Sequence, residues 1–198
     1  MNRSPLGKSS FLRPWLIWTA GFLFFPIAGL AGAGAAGRVD NPLAALIGGL
    51  FSGAVIGAGQ SAMSSGRLHP IRWIIASAAG MGVGLLLGAA AVGYGTSLAD
   101  LAVMGALTGL AFGGAQALAL PAGARYRAAW AGVIPLLWAL GWTVTTLAGI
   151  DVDQQFTIFG ASGAITFSAL AGVLLHRLLP VRTAATGRSP STQIKDLA

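Results

Sequence analysis

Residues 41–66 read NPLAALIGGLFSGAVIGAGQSAMSSG, twenty-six residues in a row without a charged side chain. Five further uncharged stretches, each of 23 to 27 residues, occupy positions 14–37, 73–99, 101–124, 128–150 and 154–176. A helix needs about 20 apolar residues to cross the hydrocarbon core of a bilayer, so each stretch holds one helix and none holds two. The sequence therefore predicts an all-α integral membrane protein with six transmembrane helices, called spans 1 to 6 below.

The composition of the whole chain excludes most other classes of protein. Of its 198 residues, 55% are hydrophobic, 30 are Gly and only 9% are charged, with a mean hydropathy of +0.76. Soluble and disordered chains carry far more polar residues. The absence of Cys excludes disulfides, thiol nucleophiles and thiolate metal sites. No other metal, cofactor or nucleic-acid motif stands out, so we expect no metal, no cofactor and no nucleic-acid partner, with the lipid bilayer as the main surrounding.

The distribution of charge predicts the orientation. Eleven of the twelve Lys and Arg fall on one side of the predicted membrane, whereas Arg38 and four of the five Asp fall on the other. By the positive-inside rule, both termini are cytoplasmic and the protein lies in the inner membrane. We expect a cytoplasmic segment at 1–13, a transmembrane domain at 14–179 and a disordered cytoplasmic tail at 180–198. The first apolar run exceeds the core of a signal peptide, so span 1 is predicted to be retained.

Short polar motifs on the opposite side predict where helices begin. Residues 40–42 read Asp-Asn-Pro, which places a capping side chain before a Pro in the first helical turn. Ser97 and Asp100 have the spacing of a capping box. Asp151 and Asp153 are expected to cap span 6. The functional alternative is that the two carboxylates form a metal or proton site.

Two segments of the chain repeat one another. Residues 49–60, GLFSGAVIGAGQ, and 105–116, GALTGLAFGGAQ, share three Gly and one Gln at a constant offset of 56. The match continues in the next span at an offset of 57, with the pairs Trp73/Trp130 and Gly84/Gly141. We interpret this as a duplicated two-helix hairpin, spans 2–3 and 4–5, related by an axis along the membrane normal. The hairpin GxxxGxxQ…W…G is similar to a repeat in bacterial multi-pass membrane proteins of uncharacterised function. The resemblance covers about residues 48–141 and implies an architecture but no activity.

Glycines four residues apart form ridges along spans 2, 3 and 4. Residues at this spacing share one helix face, and Gly lets a second backbone approach closely. The ridges predict a compact bundle, with homo-oligomerisation through one exposed ridge as the alternative. The helix-packing residues are Gly49, Gly53, Gly57, Gly80, Gly84, Gly88, Gly105, Gly109 and Gly113.

Gln60 and Gln116 are the strongest polar groups inside the predicted spans. Each follows the last ridge glycine by three residues and so lies on the same face. An amide in lipid requires a hydrogen-bond partner. The two amides either converge as a substrate-binding site or each ties its helix to a neighbour. Trp and Tyr near the span ends are expected to form interfacial belts: Trp15, Trp18, Trp73, Tyr94, Tyr126, Trp130 and Trp142.

Residues 160–163, GASG, resemble the GxSG motif of rhomboid intramembrane proteases, a six-helix family. That family places the serine on its fourth core helix and supplies a His from the sixth. Here Ser162 already lies on span 6, and His176 is 14 residues further along the same helix, about 21 Å away by helical rise. His69 lies in a predicted loop. No base reaches Ser162, so we predict a packing role and no catalytic residue.

Three functions remain open. The first is a small permease or substrate-binding membrane subunit, which fits six helices, a duplicated hairpin and a candidate polar pocket. Within this class, ion-coupled carriers are disfavoured because no charged residue lies inside a predicted span. The second is an accessory or scaffold subunit of a larger membrane complex, or a homo-oligomer, which fits the short loops and glycine ridges. An inactive rhomboid-like protein is a distant third. We predict that the protein is not an enzyme.

Overall fold

The computed structural model describes residues 9–150 and 157–180, which form seven α-helices and contain no β-strand. The helices are α1 Ser9–Ala20, α2 Phe24–Ala36, α3 Pro42–Met63, α4 Pro70–Ala91, α5 Leu98–Ala119, α6 Ala124–Leu147 and α7 Ala161–Leu178. Together α1 and α2 form one apolar span, Phe11–Ala36, and α3 to α7 form one span each. All six are long and apolar enough to cross a membrane, so the predicted six-helix membrane fold is confirmed.

The first span is not one continuous helix. A 3₁₀ turn at Gly21–Leu23 separates α1 from α2. Pro26 has no N–H to donate to the carbonyl of Phe22, one helical turn earlier, and its ring crowds that carbonyl. The helix therefore tightens and restarts, with Pro26 in the first turn of α2, where a missing donor is tolerated. The helix also starts at Ser9, five residues before the predicted boundary.

Two of the predicted helix starts are present as expected. The Asn41 side chain accepts a hydrogen bond from the Ala44 N–H, 2.9 Å, and Pro42 occupies the first turn of α3. At α5, the Ser97 hydroxyl accepts from the Asp100 N–H at 3.2 Å. The Asp100 carboxylate accepts from the Ser97 N–H in return, which completes the capping box. Each motif satisfies backbone donors that the first helical turn leaves unpaired.

Span 6 begins later than the sequence predicts. Its helix α7 starts at Ala161, with Gly160 as the N-cap residue, and Thr157–Gly160 is not helical. Asp151 and Asp153, the predicted caps of this span, lie outside the described residues, as do residues 1–8 and the predicted disordered tail from residue 181 onward.

The spans form a ring in chain order. Helices α2 to α7 each pack on the next, and α1 packs on α7, which closes the ring. The Trp15 indole N–H donates to the Ala169 carbonyl, 2.9 Å, across this closure. The centre is filled with aromatic rings, since Trp138 lies 4.8–6.3 Å from four Phe rings, measured between ring centroids: Phe25, Phe112, Phe159 and Phe167.

The nine ridge glycines lie at three successive helix interfaces. A Cβ placed on Gly49 of α3 would lie 2.7 Å from the Met81 carbonyl oxygen of α4. On α4, the same addition at Gly84 would meet the Thr108 carbonyl oxygen of α5 at 2.7 Å. All nine positions would bring a Cβ within 3.0 Å of an atom on the neighbouring helix. The ridges are therefore covered within one chain, which leaves none of them free for a second copy.

Charged side chains separate to the two ends of the bundle. The α3–α4 and α5–α6 connections carry, or adjoin, Arg67, Arg72, Arg125 and Arg127, and we call this side the arginine end. The end of α7 lies there too, because the Arg67 guanidinium donates to the Leu179 carbonyl at 3.3 Å. Asp40 and Asp100, the only acidic residues described, lie at the starts of α3 and α5, on the opposite end.

Candidate functional site

The two glutamines predicted from the repeat lie against each other. Gln116 Nε2 donates to Gln60 Oε1 at 2.8 Å, which links α5 to α3. The same nitrogen donates to the Ser77 hydroxyl of α4, also at 2.8 Å. Gln116 is fully buried and Gln60 is 6% exposed. The two amides therefore lie together and tie α5 to α3 and α4, whereas their role as a substrate-binding site stays a prediction.

Each glutamine also accepts a hydrogen bond from a tryptophan on the following helix. The Trp73 indole N–H donates to Gln60 Oε1 at 2.9 Å, and that of Trp130 donates to Gln116 Oε1 at 3.2 Å. The two indoles contact each other edge to face, with centroids 5.7 Å apart. We call Gln60, Gln116, Trp73 and Trp130 the Gln–Trp network. The Gln–Trp bond is the repeated element, and the Gln–Gln bond joins the two copies.

The chemistry of indole fixes the direction of every bond in the network. The indole nitrogen only donates, so the amide atom facing each tryptophan must be the oxygen. Gln116 therefore turns its nitrogen toward Gln60 and Ser77, and both of its N–H donors are used. Gln60 Oε1 accepts twice. Its Nε2 group makes no hydrogen bond to another described residue.

The interfacial belt proposed for the aromatic residues is wrong for four tryptophans. Trp18, Trp73, Trp130 and Trp142 are at most 2% exposed and lie in the interior of the bundle. Interfacial aromatics expose one end to the headgroup region, but buried indoles need an internal acceptor. The glutamines provide that acceptor for Trp73 and Trp130. Their equivalent positions in the repeat were the available signal of this role.

A second buried polar contact lies in the non-helical stretch that precedes α7. The Ser52 hydroxyl of α3 hydrogen-bonds with the Ala28 carbonyl oxygen of α2, 2.8 Å, and with the Thr157 hydroxyl, 2.9 Å. Thr157 lies in the non-helical stretch before α7 and is 2% exposed. We call Ala28, Ser52 and Thr157 the Ser–Thr junction. Sequence reasoning missed it because it assigned Thr157 to a continuous helix.

The Ser–Thr junction lies near the middle of the membrane-spanning layer. Ser52 is ten residues from the start of α3 and eleven from its end, which places it about 15 Å from either end by helical rise. A Cβ on Gly48 would lie 2.7 Å from the Thr157 methyl carbon, and one on Gly32 would lie 2.7 Å from the Thr157 hydroxyl. These two glycines on α3 and α2 therefore provide the space that Thr157 occupies.

The non-helical stretch is anchored by its aromatic residue. Phe159 is 2% exposed and packs against Trp138 with centroids 4.9 Å apart. A Cβ on Gly141 would lie 2.8 Å from the Phe159 ring, so a glycine is needed there. Thr157, Ile158 and Phe159 make no backbone–backbone hydrogen bond with another described residue. The protein thus holds non-helical backbone at membrane depth, with polar groups directed into its interior.

Ser162 and His176 lie at opposite ends of α7. Ser162 is in the first turn of α7, and its hydroxyl is buried without a partner among the described residues. His176 is in the last turn, where its ring meets Phe11 edge on at 4.7 Å. The separation of the two residues along one helix is the one expected from the sequence.

The chain resembles no protein family, curated protein or solved structure closely enough to be matched. The described geometry alone therefore supports the functional argument.

Proposed function

We propose that this membrane protein is a small, non-enzymatic permease. The observation that carries the proposal is the non-helical Thr157–Gly160 stretch, which is buried from Thr157 to Phe159 and joined to the middle of α3 through the Ser52 hydroxyl. In a bilayer, non-helical backbone is tolerated only inside protein or beside a water-filled cavity. Secondary transporters place non-helical backbone next to helix ends at their substrate sites, near the midplane.

The chemistry of the Ser–Thr junction favours an uncharged polar solute. Hydroxyls such as those of Ser52 and Thr157 both donate and accept hydrogen bonds, and nearby peptide groups offer further donors and acceptors. Charged residues of the described spans lie at helix ends, whereas ion-coupled carriers usually place one at depth. The junction is closed to solvent, so a substrate enters when the Thr157–Gly160 stretch moves. The arginine end is cytoplasmic in this proposal, and the membrane is the inner one.

The Gln–Trp network has a structural role in this proposal, with one exception. Both N–H donors of Gln116 are used within the protein, so Gln116 has no free donor for a substrate. Gln60 Nε2 has no partner among the described residues, and it is the group through which the network can contact a solute.

The Gln–Trp network also favours a second candidate, an accessory or scaffold subunit of a larger membrane complex. The Gln116 amide and both indole N–H groups are hydrogen-bonded within the protein without a ligand. A rigid bundle of this kind can pack against other subunits without binding a solute.

Native mass spectrometry of the protein, extracted from its own membrane with its lipids, separates the two candidates. A permease should carry a small polar solute and no stoichiometric foreign protein. Thr157→Val should lose that solute, because Val keeps the shape but not the hydroxyl. Thr166→Val is the matched control, since the Thr166 hydroxyl bonds only the Ser162 carbonyl of its own helix. A stoichiometric foreign protein without a solute would instead establish the accessory role.

A further inference from the structure

Arg67 occupies an unusual position at the arginine end. It lies in the α3–α4 connection, where its Nε donates to the Ser64 carbonyl at 2.7 Å and its Nη1 to the Leu179 carbonyl at 3.3 Å. These bonds hold the guanidinium between the ends of α3 and α7. The side chain is half-buried, and this burial lowers the pKa of Arg67 from its ordinary value.

No carboxylate within the described residues neutralises Arg67. The described acids, Asp40 and Asp100, lie at the opposite end, about 30 Å away by the length of α3. A guanidinium has five N–H donors, and the two bonds above leave three of them without a partner among the described residues. A partly desolvated cation with free donors is stabilised by an anion that takes them.

His176 lies beside this cation. It lies in the last turn of α7, three residues before Leu179, the C-cap residue whose carbonyl Arg67 contacts. His176 Nδ1 is buried and has no hydrogen-bond partner among the described residues. Phe11 packs edge on against the imidazole and limits its rotation. The other titratable groups on these packed elements are Arg13 on α1 and Arg177 on α7, both exposed and both positive.

We propose that Arg67 and His176 bind the phosphate group of an anionic phospholipid in the leaflet at the arginine end. A guanidinium fork matches two phosphate oxygens, and an imidazole N–H can donate to a third. Basic sites between transmembrane helices bind such headgroups, and the exposed Arg13 and Arg177 add attraction at the rim. The helix ends place both groups at headgroup depth, where phospholipid phosphate is the most concentrated anion.

The experiment measures retained lipid by native mass spectrometry of the full chain from nanodiscs. One set of discs contains phosphatidylcholine alone, and the other contains phosphatidylglycerol as well. Wild-type protein should retain phosphatidylglycerol in preference to phosphatidylcholine. Arg67→Gln should weaken this retention about tenfold, as expected when a charge-assisted hydrogen bond is lost. Arg72→Gln, which removes an exposed arginine from the same end, is the charge-matched control and should retain the lipid.

A second variant guards against a loss of folding, because Arg67 also bonds two backbone carbonyls. His176→Phe keeps a ring against Phe11 and leaves both bonds of Arg67 in place, and it should also reduce retention of phosphatidylglycerol. Equal retention by wild type, Arg67→Gln and His176→Phe would overturn the proposal. So would a wild-type protein that binds inorganic phosphate in the phosphatidylcholine discs and shows no preference for phosphatidylglycerol, since the site would then take a soluble anion.

Discussion

A double-mutant cycle on Gln60 and Gln116 tests the Gln–Trp network most directly. Leu has a bulk similar to that of Gln but neither donates nor accepts a hydrogen bond. Gln116→Leu removes three bonds, to Gln60, Ser77 and Trp130, and Gln60→Leu removes two, to Gln116 and Trp73. The Gln–Gln bond is lost in either variant, so the double variant loses four bonds rather than five.

The expected energies follow from this count of bonds. Interhelical hydrogen bonds in membranes contribute about 0.6 kcal/mol on average and about 1.7 kcal/mol at most. Gln116→Leu should therefore lower the free energy of unfolding by about 2 kcal/mol and Gln60→Leu by about 1 kcal/mol, before any cost of unpaired donors. The double variant should be more stable than additivity predicts by about 0.6–1.7 kcal/mol, the value of the shared bond.

The assay is reversible unfolding in mixed micelles, with the free energy measured for wild type, both single variants and the double variant. Thr143→Val is the matched control, because the Thr143 hydroxyl bonds only the Ala139 carbonyl of its own helix. It should change the free energy by less than either glutamine substitution. Two destabilising single variants whose effects add fully would refute the direct Gln–Gln bond. Two single variants as stable as the control would refute the network as a whole.

Three other predictions concern packing, the network and topology. Gly109→Leu should destabilise the bundle by about 1–3 kcal/mol because Pro135 lies against it, whereas Gly114→Leu on the same helix meets open space and should change thermal stability little. Trp130→Phe keeps an aromatic ring but removes the donor to Gln116, and should lower the free energy of unfolding in mixed micelles by about 0.6–1.7 kcal/mol. In intact cells, an impermeant thiol reagent should label Ala99→Cys and not Pro190→Cys, and the reverse pattern would invert the orientation.

The number of spans could be predicted because charge is excluded from the membrane interior. Each uncharged stretch is bounded by a charged residue, and the helices α3 to α6 fall within or close to those bounds. The glycine spacing likewise indicated which helix faces meet. Both signals can be read from residues close together in the sequence. The glycine spacing repeats every helical turn, and the uncharged stretches have the length of one membrane-spanning helix.

The 3₁₀ turn within span 1 and the non-helical stretch before α7 were harder to predict, because their causes are local or tertiary. Pro26 explains the 3₁₀ turn, since a proline removes the hydrogen bond one turn before it. Pro135, however, lies inside the continuous helix α6, so a proline alone does not predict a break. The Thr157–Gly160 stretch had no comparable signal. Its position depends on Phe159 fitting against Gly141 and on Thr157 reaching Ser52, contacts between distant parts of the chain. From hydropathy alone, such a stretch is predicted to be part of a helix.

The repeat predicted the convergence of the glutamines but not the partners that complete it. Trp73 and Trp130 lie near the ends of their helices, where sequence reasoning favours the membrane interface. Their burial follows from the network, because each indole N–H finds its acceptor on the preceding helix of the same hairpin.

The network also gives a physical reason for two hairpins rather than one. Within a single hairpin, the Gln–Trp bond uses the amide oxygen and leaves the amide nitrogen without an acceptor, which is costly in a low-dielectric interior. In the second copy, the Gln116 nitrogen finds acceptors on the first copy, at Gln60 and Ser77. The first copy has no preceding hairpin, so the Gln60 nitrogen remains without a partner among the described residues. Duplication therefore satisfies one amide fully and leaves the other as the point where the network is open to a further partner.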